Sequence, residues 1–416
     1  MNPKLLLLLV GIVALLCSNC TSPGDLPSPQ VEEKDLIKKY GETDPERDAL
    51  ILNEGAFGHE TGSLVRISPN GKAWESPFVG MNDSLTLGIT AQDLYISGDR
   101  LYVTCKQGKG ENKDSKIAGK LVVMDAKTFK LIAAYDPDVI QPGNIAVADE
   151  EHIYLRNGQG IYFYNSVTKS LTEVQKALSS RREQLNNSGR MKIIVYRGQR
   201  YLFYLDNGAL CYFRVGEENT KYDPSLEFNS GISRIMLPQY INGFDYVGGA
   251  DGTFYLSAVE KGVIPQTQSA WVIRFSLRED FPSKVDRHKL GVGDNAYPYI
   301  QQGSPVVVKG DTIYFASQDA KSIYRHIFSD YVKSGDRSTQ KVFELSIPGF
   351  MYGSFGVHPI SGRLYITSIK GHGMDYLVNS TLIYDPDRQV VEHNISNVSR
   401  FPAGVFFYKS FMNLNK

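Results

Sequence analysis

Seven histidines, His59, His152, His288, His326, His358, His372 and His393, are the side chains of this chain best suited to hold a metal or move a proton near neutral pH. None forms an HxH or HExxH pair, so their spacing builds no metal centre. His59 and His372 stand in glycine-rich stretches that read as loops, where either could touch a large ligand. Solvated loop histidines are the plainer expectation. The carboxylates offer one alternative. Glu54 closes a short apolar run, and Asn157 and Asp206 close two similar runs. Oxygen ligands at such equivalent positions would hold a calcium ion. The corresponding positions Lys106, Ala258 and Ser317 supply no matching ligands, so no metal is expected, and Glu54 reads as a residue that fixes the turn after it. No G-x-S-x-G elbow and no G-x-x-x-x-G-K phosphate loop is present; Gly108-Lys109-Gly110 lacks the earlier glycine. The residues therefore point to binding and to no catalytic group or cofactor.

The elements that must position these residues read as strands. The 416 residues include 25 Tyr and 20 Phe against 2 Trp, an aromatic content that favours sheets. One helix is expected over Leu171–Gln184, from the spacing of Leu171, Val174 and Leu178. The stretch from Phe355 to His393 shows the plan. Phe355-Gly356-Val357, Leu364-Tyr365-Ile366-Thr367, Leu382-Ile383-Tyr384 and Val390-Val391 are four short strands separated by turns. The second of these recurs as Leu101-Tyr102-Val103, Ile153-Tyr154-Leu155, Tyr201-Leu202-Phe203, Phe254-Tyr255-Leu256 and Ile313-Tyr314-Phe315. Successive markers lie 47 to 59 residues apart, and Ile51-Leu52-Asn53 is a further copy. Four strands per period near fifty residues predict an all-β, seven-bladed β-propeller of antiparallel blades. The first copy lacks an inner strand, and the chain ends on Phe401–Phe407, an inner strand without partners. A blade shared by the two ends would close the ring and cover both edges.

This alternation puts the loops between second and third strands on the same face as the connections between blades. The long segments collect there: Glu54–Gly62, Lys106–Lys120, Val259–Ala270, Lys370–Ser380, Val79–Ile89, Gly291–Gly303 and Ser346–Gly353. Long loops on a rigid scaffold are where binding resides. Candidate ligand contacts on this face are Phe57, His59, Met81, Asn82, Asp294, Asn295, Tyr297, Tyr299, Phe350, Tyr352, His372, Met374 and Tyr376. Aromatics and methionines with a few amides suit a large, flat, amphipathic small molecule or a protein partner.

The chain starts with a targeting segment. Lys4 precedes an apolar run of 12 residues, Leu5–Leu16, too short to span a bilayer. Cys17 and Cys20 follow, and Cys20, after Ser18 and Asn19, is the expected lipidation site. Residues 1–20 then form a lipoprotein signal peptide, 21–48 a proline-bearing tether, and 49–416 a single propeller domain. Cys105 and Cys211 are expected as buried free thiols. The 45 basic and 45 acidic side chains cancel, which argues against nucleic acid as a partner.

Asn53-Glu54-Gly55-Ala56-Phe57-Gly58 with Gly62-Ser63-Leu64, the stretch Tyr352–Thr367, Ile383-Tyr384-Asp385 and the closing Phe401-Pro402-Ala403-Gly404 resemble the YncE-like propeller lipoproteins of Bacteroidetes. The resemblance covers roughly residues 49 to 410. It implies a propeller anchored at the outer membrane, on the cell surface or the periplasmic face. More remotely it implies capture of a corrinoid for a TonB-dependent outer-membrane transporter. A metal-dependent, lactonase-like hydrolase and a protein-interaction scaffold are the two rival readings.

Overall fold

The computed structural model describes residues 43–109, 116–139, 141–158, 160–176, 190–206, 208–217, 233–235, 237–248, 252–260, 270–276, 285–290, 306–317, 319–331, 338–346 and 348–412. The leader with Cys17 and Cys20, the tether up to residue 42, and Asp294, Asn295, Tyr297 and Tyr299 lie outside them. So do the loops over 261–269 and 291–303.

Strands alternate direction because turns reverse the chain, and after the inner strands Ile89–Ser97, Lys192–Tyr196 and Val306–Lys309 the turn has two residues. Tyr196 pairs with Gln199, and the intervening Arg197 and Gly198 both take positive φ (50° and 72°), the hairpin geometry that matches strand twist. The result is seven four-stranded antiparallel sheets, six of them in sequence order from the inner strand outward and one led by the last strand of the chain. Blade 1 pairs the C-terminal Pro402–Phe407 with Ala49–Asn53, Ser63–Ile67 and Ala73–Glu75. Blade 2 holds Ile89–Ser97, Arg100–Gln107, Leu121–Asp125 and Leu131–Tyr135. Blades 3 to 6 begin at Asn144, Lys192, Gln239 and Val306. Blade 7 holds Phe350–Val357, Leu364–Ile369, Asn379–Asp385 and Val390–Ser396. The expected seven-bladed propeller, closed by its two chain ends, is the observed fold.

Second strands such as Ala49–Asn53 and Leu364–Ile369 are buried at every position because each blade is covered on both sides. In Ala49–Asn53 the alternation sorts neighbours: Ala49 and Ile51 pack with Tyr365 and Ile383 of blade 7, while Leu50 and Leu52 pack with Leu94 and Leu101 of blade 2. Val405 and Phe407 follow the first group and Phe406 the second. Polar ties add to this packing. Asp93 on the inner strand of blade 2 accepts the Ile145 N–H of blade 3 (3.2 Å), and Asp245 on the inner strand of blade 5 accepts the Val308 N–H of blade 6 (3.0 Å). Arg190, just before the inner strand of blade 4, and Lys192, its first residue, form ion pairs with Asp93 and Asp245 respectively, each at 3.0 Å.

The expected helix over Leu171–Gln184 is not formed in its described part. Ser170–Lys176 is the outer strand of blade 3. The register shifts between Ile161 and Tyr162, and Val174 is the extra residue on the bulged strand. The bulge brings Leu171 and Val174 to the same side, against one core, so a three-residue spacing imitates a helical period. Cys105 and Cys211 are buried thiols outside any disulfide, as expected.

Candidate functional site

The inner strands run from the loop-rich face to the turn face and the second strands run back. The ends of the second strands and the starts of the inner strands therefore meet at the loop-rich face. Glu54 follows the second strand of blade 1, and its N–H donates to the Phe401 carbonyl (2.8 Å) just before the inner strand of the same blade. Its carboxyl is half-buried beside the Gln92 amide and the Lys106 ammonium. Burial pushes its pKa up to about 7, although Gln92 and Lys106 both favour the charged form. Lys106, at the end of the second strand of blade 2, is held below its ordinary value by burial, with Glu54 opposing. Tyr352 of blade 7 feels burial and the Glu54 charge together, and its phenol rises to about 12. Four polar groups from blades 7, 1 and 2 thus share one desolvated spot.

Two of them are placed by bulges. In blade 2, Ala91 pairs with Cys105 and Asp93 with Thr104, which leaves Gln92 out of the ladder. In blade 7 the register jumps between Met351 and Phe355, and Tyr352 answers the Thr367 hydroxyl through its carbonyl (2.9 Å). A bulge re-aims the side chain that regular pairing would send into the core.

An aromatic wall adjoins this polar spot. The Tyr352 ring lies 5.1 Å from Phe401 and 6.2 Å from Phe350, and His372 lies 5.3 Å from Phe350. Phe401 stacks on Tyr376 at 4.5 Å. Across the site the exposed Phe57 ring sits 4.4 Å from the Lys106 Nζ. The Tyr376 hydroxyl donates to Glu60 (2.9 Å), and Glu60 accepts the Ala56 N–H (2.9 Å), so the loops of blades 7 and 1 are tied together. Glu60 thus fixes the turn that the sequence assigned to Glu54.

The sequence-derived candidates separate into groups. Phe57, Phe350, Tyr352 and His372 come together at this site. His59 and Met374 are exposed on the same two loops, over 54–62 and 370–378. Tyr376 is buried and packs its loop. Met81 is buried in the short helix Pro77–Met81. The Asn82 amide donates to the Phe78 and Phe129 carbonyls (2.7 and 2.9 Å) and accepts the Leu131 N–H (2.7 Å). Phe350, Met351 and Tyr352 stand on an inner strand, not in the connecting loop expected for them. Gln92 and Phe401 were not legible as site residues. Gln92 reads as one polar position in a strand, and Phe401 as part of the closing strand. Among the described residues no three histidine, cysteine, aspartate or glutamate side chains are placed to hold a metal ion.

Fold and site together define a seven-bladed β-propeller with a polar and aromatic site at the junction of blades 7, 1 and 2. The chain belongs to the family described as a domain of unknown function, DUF5074, whose model matches residues 48–208 and 285–408. No curated protein matches the sequence. Among solved structures it is similar to the periplasmic gluconolactonase PpgL of Pseudomonas aeruginosa. That match has 13% identity and a TM-score of 0.54, over 86% of this chain and 98% of that one. A protein from Lactobacillus plantarum matches at 9% identity and a TM-score of 0.48, over 86% and 98% of the two chains. At such identities the likeness is one of fold.

Proposed function

We propose that this propeller is a binding protein that holds a flat, amphipathic small molecule at its loop-rich face. The ligand lies against the Tyr352–Phe401 wall with its polar edge on Glu54, Gln92 and Lys106. The observation that carries this reading is that group of four buried or half-buried polar side chains beside half-exposed rings. Preformed sites take this form, mostly apolar with a few fixed polar groups. The resemblance to surface lipoproteins supplies the finer version. Cys20 carries the lipid, the protein sits at the outer membrane, and the ligand is a corrinoid handed to a TonB-dependent transporter. Calorimetry with cobalamin and cobinamide tests it. A saturable heat is expected, weakened about tenfold by Tyr352→Ala, the loss of one ring contact and one hydrogen bond. No heat with tens of micromolar protein would remove the corrinoid version.

One observation favours a second reading. A carboxyl near pH 7 beside an ammonium is suited to general-base work, and a lactone is a substrate that such a pair could open with water. A gluconolactone hydrolysis assay separates the readings. Turnover abolished by Glu54→Gln would establish the hydrolase.

A further inference from the structure

The turn face carries a cavity of about 300 Å³, on the side of the ring opposite the site above. It lies where the chain enters blade 1, between the lead-in Asp44–Asp48 and the hairpin Ser68–Trp74. Its acceptors are engaged locally. Asp44 accepts the Glu46 N–H (3.0 Å), Asp48 accepts the Asp44 N–H (2.9 Å), and Asn70 accepts the Ser68 hydroxyl. Its donors are not. Among the described residues, Arg47 and Lys72 line the cavity and form no ion pair. Behind the lining residues Asp48 and Trp74 lies Arg66, only 2% exposed. Its guanidinium carbon stands 3.7 Å from the Trp74 ring centroid, with the Lys72 ammonium 4.6 Å from the same centroid. Arg66 Nε is 3.7 Å from the Asp48 carboxylate, too long for a hydrogen bond, and Nε and Nη1 have no hydrogen-bond partner.

A buried guanidinium with two idle nitrogens, three N–H bonds in all, is costly, and such groups in native proteins are normally satisfied by a partner, water or ion. Among the described residues at this cavity, the buried side-chain atoms without a partner are donors, Nε and Nη1 of Arg66, while each lining carboxylate accepts a backbone N–H. That balance selects an oxyanion, and guanidinium pairs with phosphate oxygens in strong charge-assisted bonds. We propose that this cavity is a phosphate-binding site, with Arg47 and Lys72 as its lining donors and the buried Arg66 charge behind them. The volume exceeds a bare phosphate and leaves room for a small substituent. The phosphate comes either from a soluble phosphate ester or from a lipid headgroup.

The test uses the full chain and the fluorescence of Trp74, one of only two tryptophans. Inorganic phosphate is titrated at fixed ionic strength, in the native protein and in Arg47→Gln/Lys72→Gln, whose exposed substitutions leave the core intact. A saturable response is expected, absent in Trp74→Phe and weakened roughly tenfold or more in the double variant. Flotation with phosphatidylglycerol vesicles separates the sources. Binding that free phosphate displaces assigns a headgroup; binding of phosphate alone assigns a soluble ester. No phosphate response up to about 10 mM, or an equal response in the double variant, overturns the proposal.

Discussion

Glu54 is the residue whose properties are most the product of its surroundings. In the unfolded chain it ionises near 4.5, and in the fold near 7. Between those values the folded state keeps a proton that the unfolded chain has released. Its favourable contribution is therefore complete below about 4.5 and is lost as pH rises through 7. Glu54→Gln keeps the shape and removes the charge. It is expected to raise stability at pH 8 by on the order of 1 kcal/mol, a figure discounted for partial exposure, and to leave pH 4 stability nearly unchanged. Chemical denaturation at both values checks this, and equal effects at both would refute it. His358 acts in the opposite sense. It is buried, its Nδ1 accepts the Ile360 and Ser361 N–H groups (3.3 and 3.1 Å), and burial lowers its pKa below the ordinary 6.5. Its contribution is present above about 6.5 and is lost as pH falls through its lower folded value. Thermal melts of His358→Gln are expected to show less loss below pH 6 than the native chain.

At the scale of elements, the short helix Pro77–Met81 and its cap matter beyond their size. Asn82 ties the connection from blade 1 to the edge of blade 2, where Phe129 holds a positive φ of 61° and is fully buried. Asn82→Ala leaves the Phe129 carbonyl and the Leu131 N–H unmatched, and a loss of about 1–3 kcal/mol is expected in equilibrium unfolding. The strands were legible because burial on both sides writes consecutive positions in apolar residues, as in Leu101-Tyr102-Val103 and Leu364-Tyr365-Ile366. The bulges were not. Nothing in the local pattern of Gln92 or Tyr352 marks a residue slipped from its ladder, because the slip depends on pairing with a partner strand. Val174 was misread for the same reason. The site residues that the sequence did offer, Phe57, Phe350, Tyr352 and His372, were found by loop length. Met81, Asn82 and Tyr376 share those loops but serve packing, a distinction that loop position cannot make.

For the whole molecule, closure is the decisive feature. Val405, Phe406 and Phe407 are buried between blades, and each such side chain contributes about 1.5–3 kcal/mol. With the pairing they support, their sum approaches the 5–15 kcal/mol that holds a typical domain together. Truncation after Arg400 is therefore expected to abolish cooperative unfolding and give aggregation through the bared strand Ala49–Asn53. Size-exclusion chromatography and a thermal melt check this, and a monomer with a sharp transition would refute it.

The same clasp has a mechanical side. The chain enters at Thr43, whose N–H donates to the Lys127 carbonyl (3.0 Å), on the turn face, and runs along Ala49–Asn53 toward the loop-rich face. That strand is flanked on both sides, by Ser63–Ile67 and by Pro402–Phe407. A pull on Thr43 away from the turn face acts along the strand, at right angles to its hydrogen bonds. Both ladders are then loaded in shear and must yield together rather than unzip one bond at a time. The ring is fastened to resist tension from the end by which a tether would hold it.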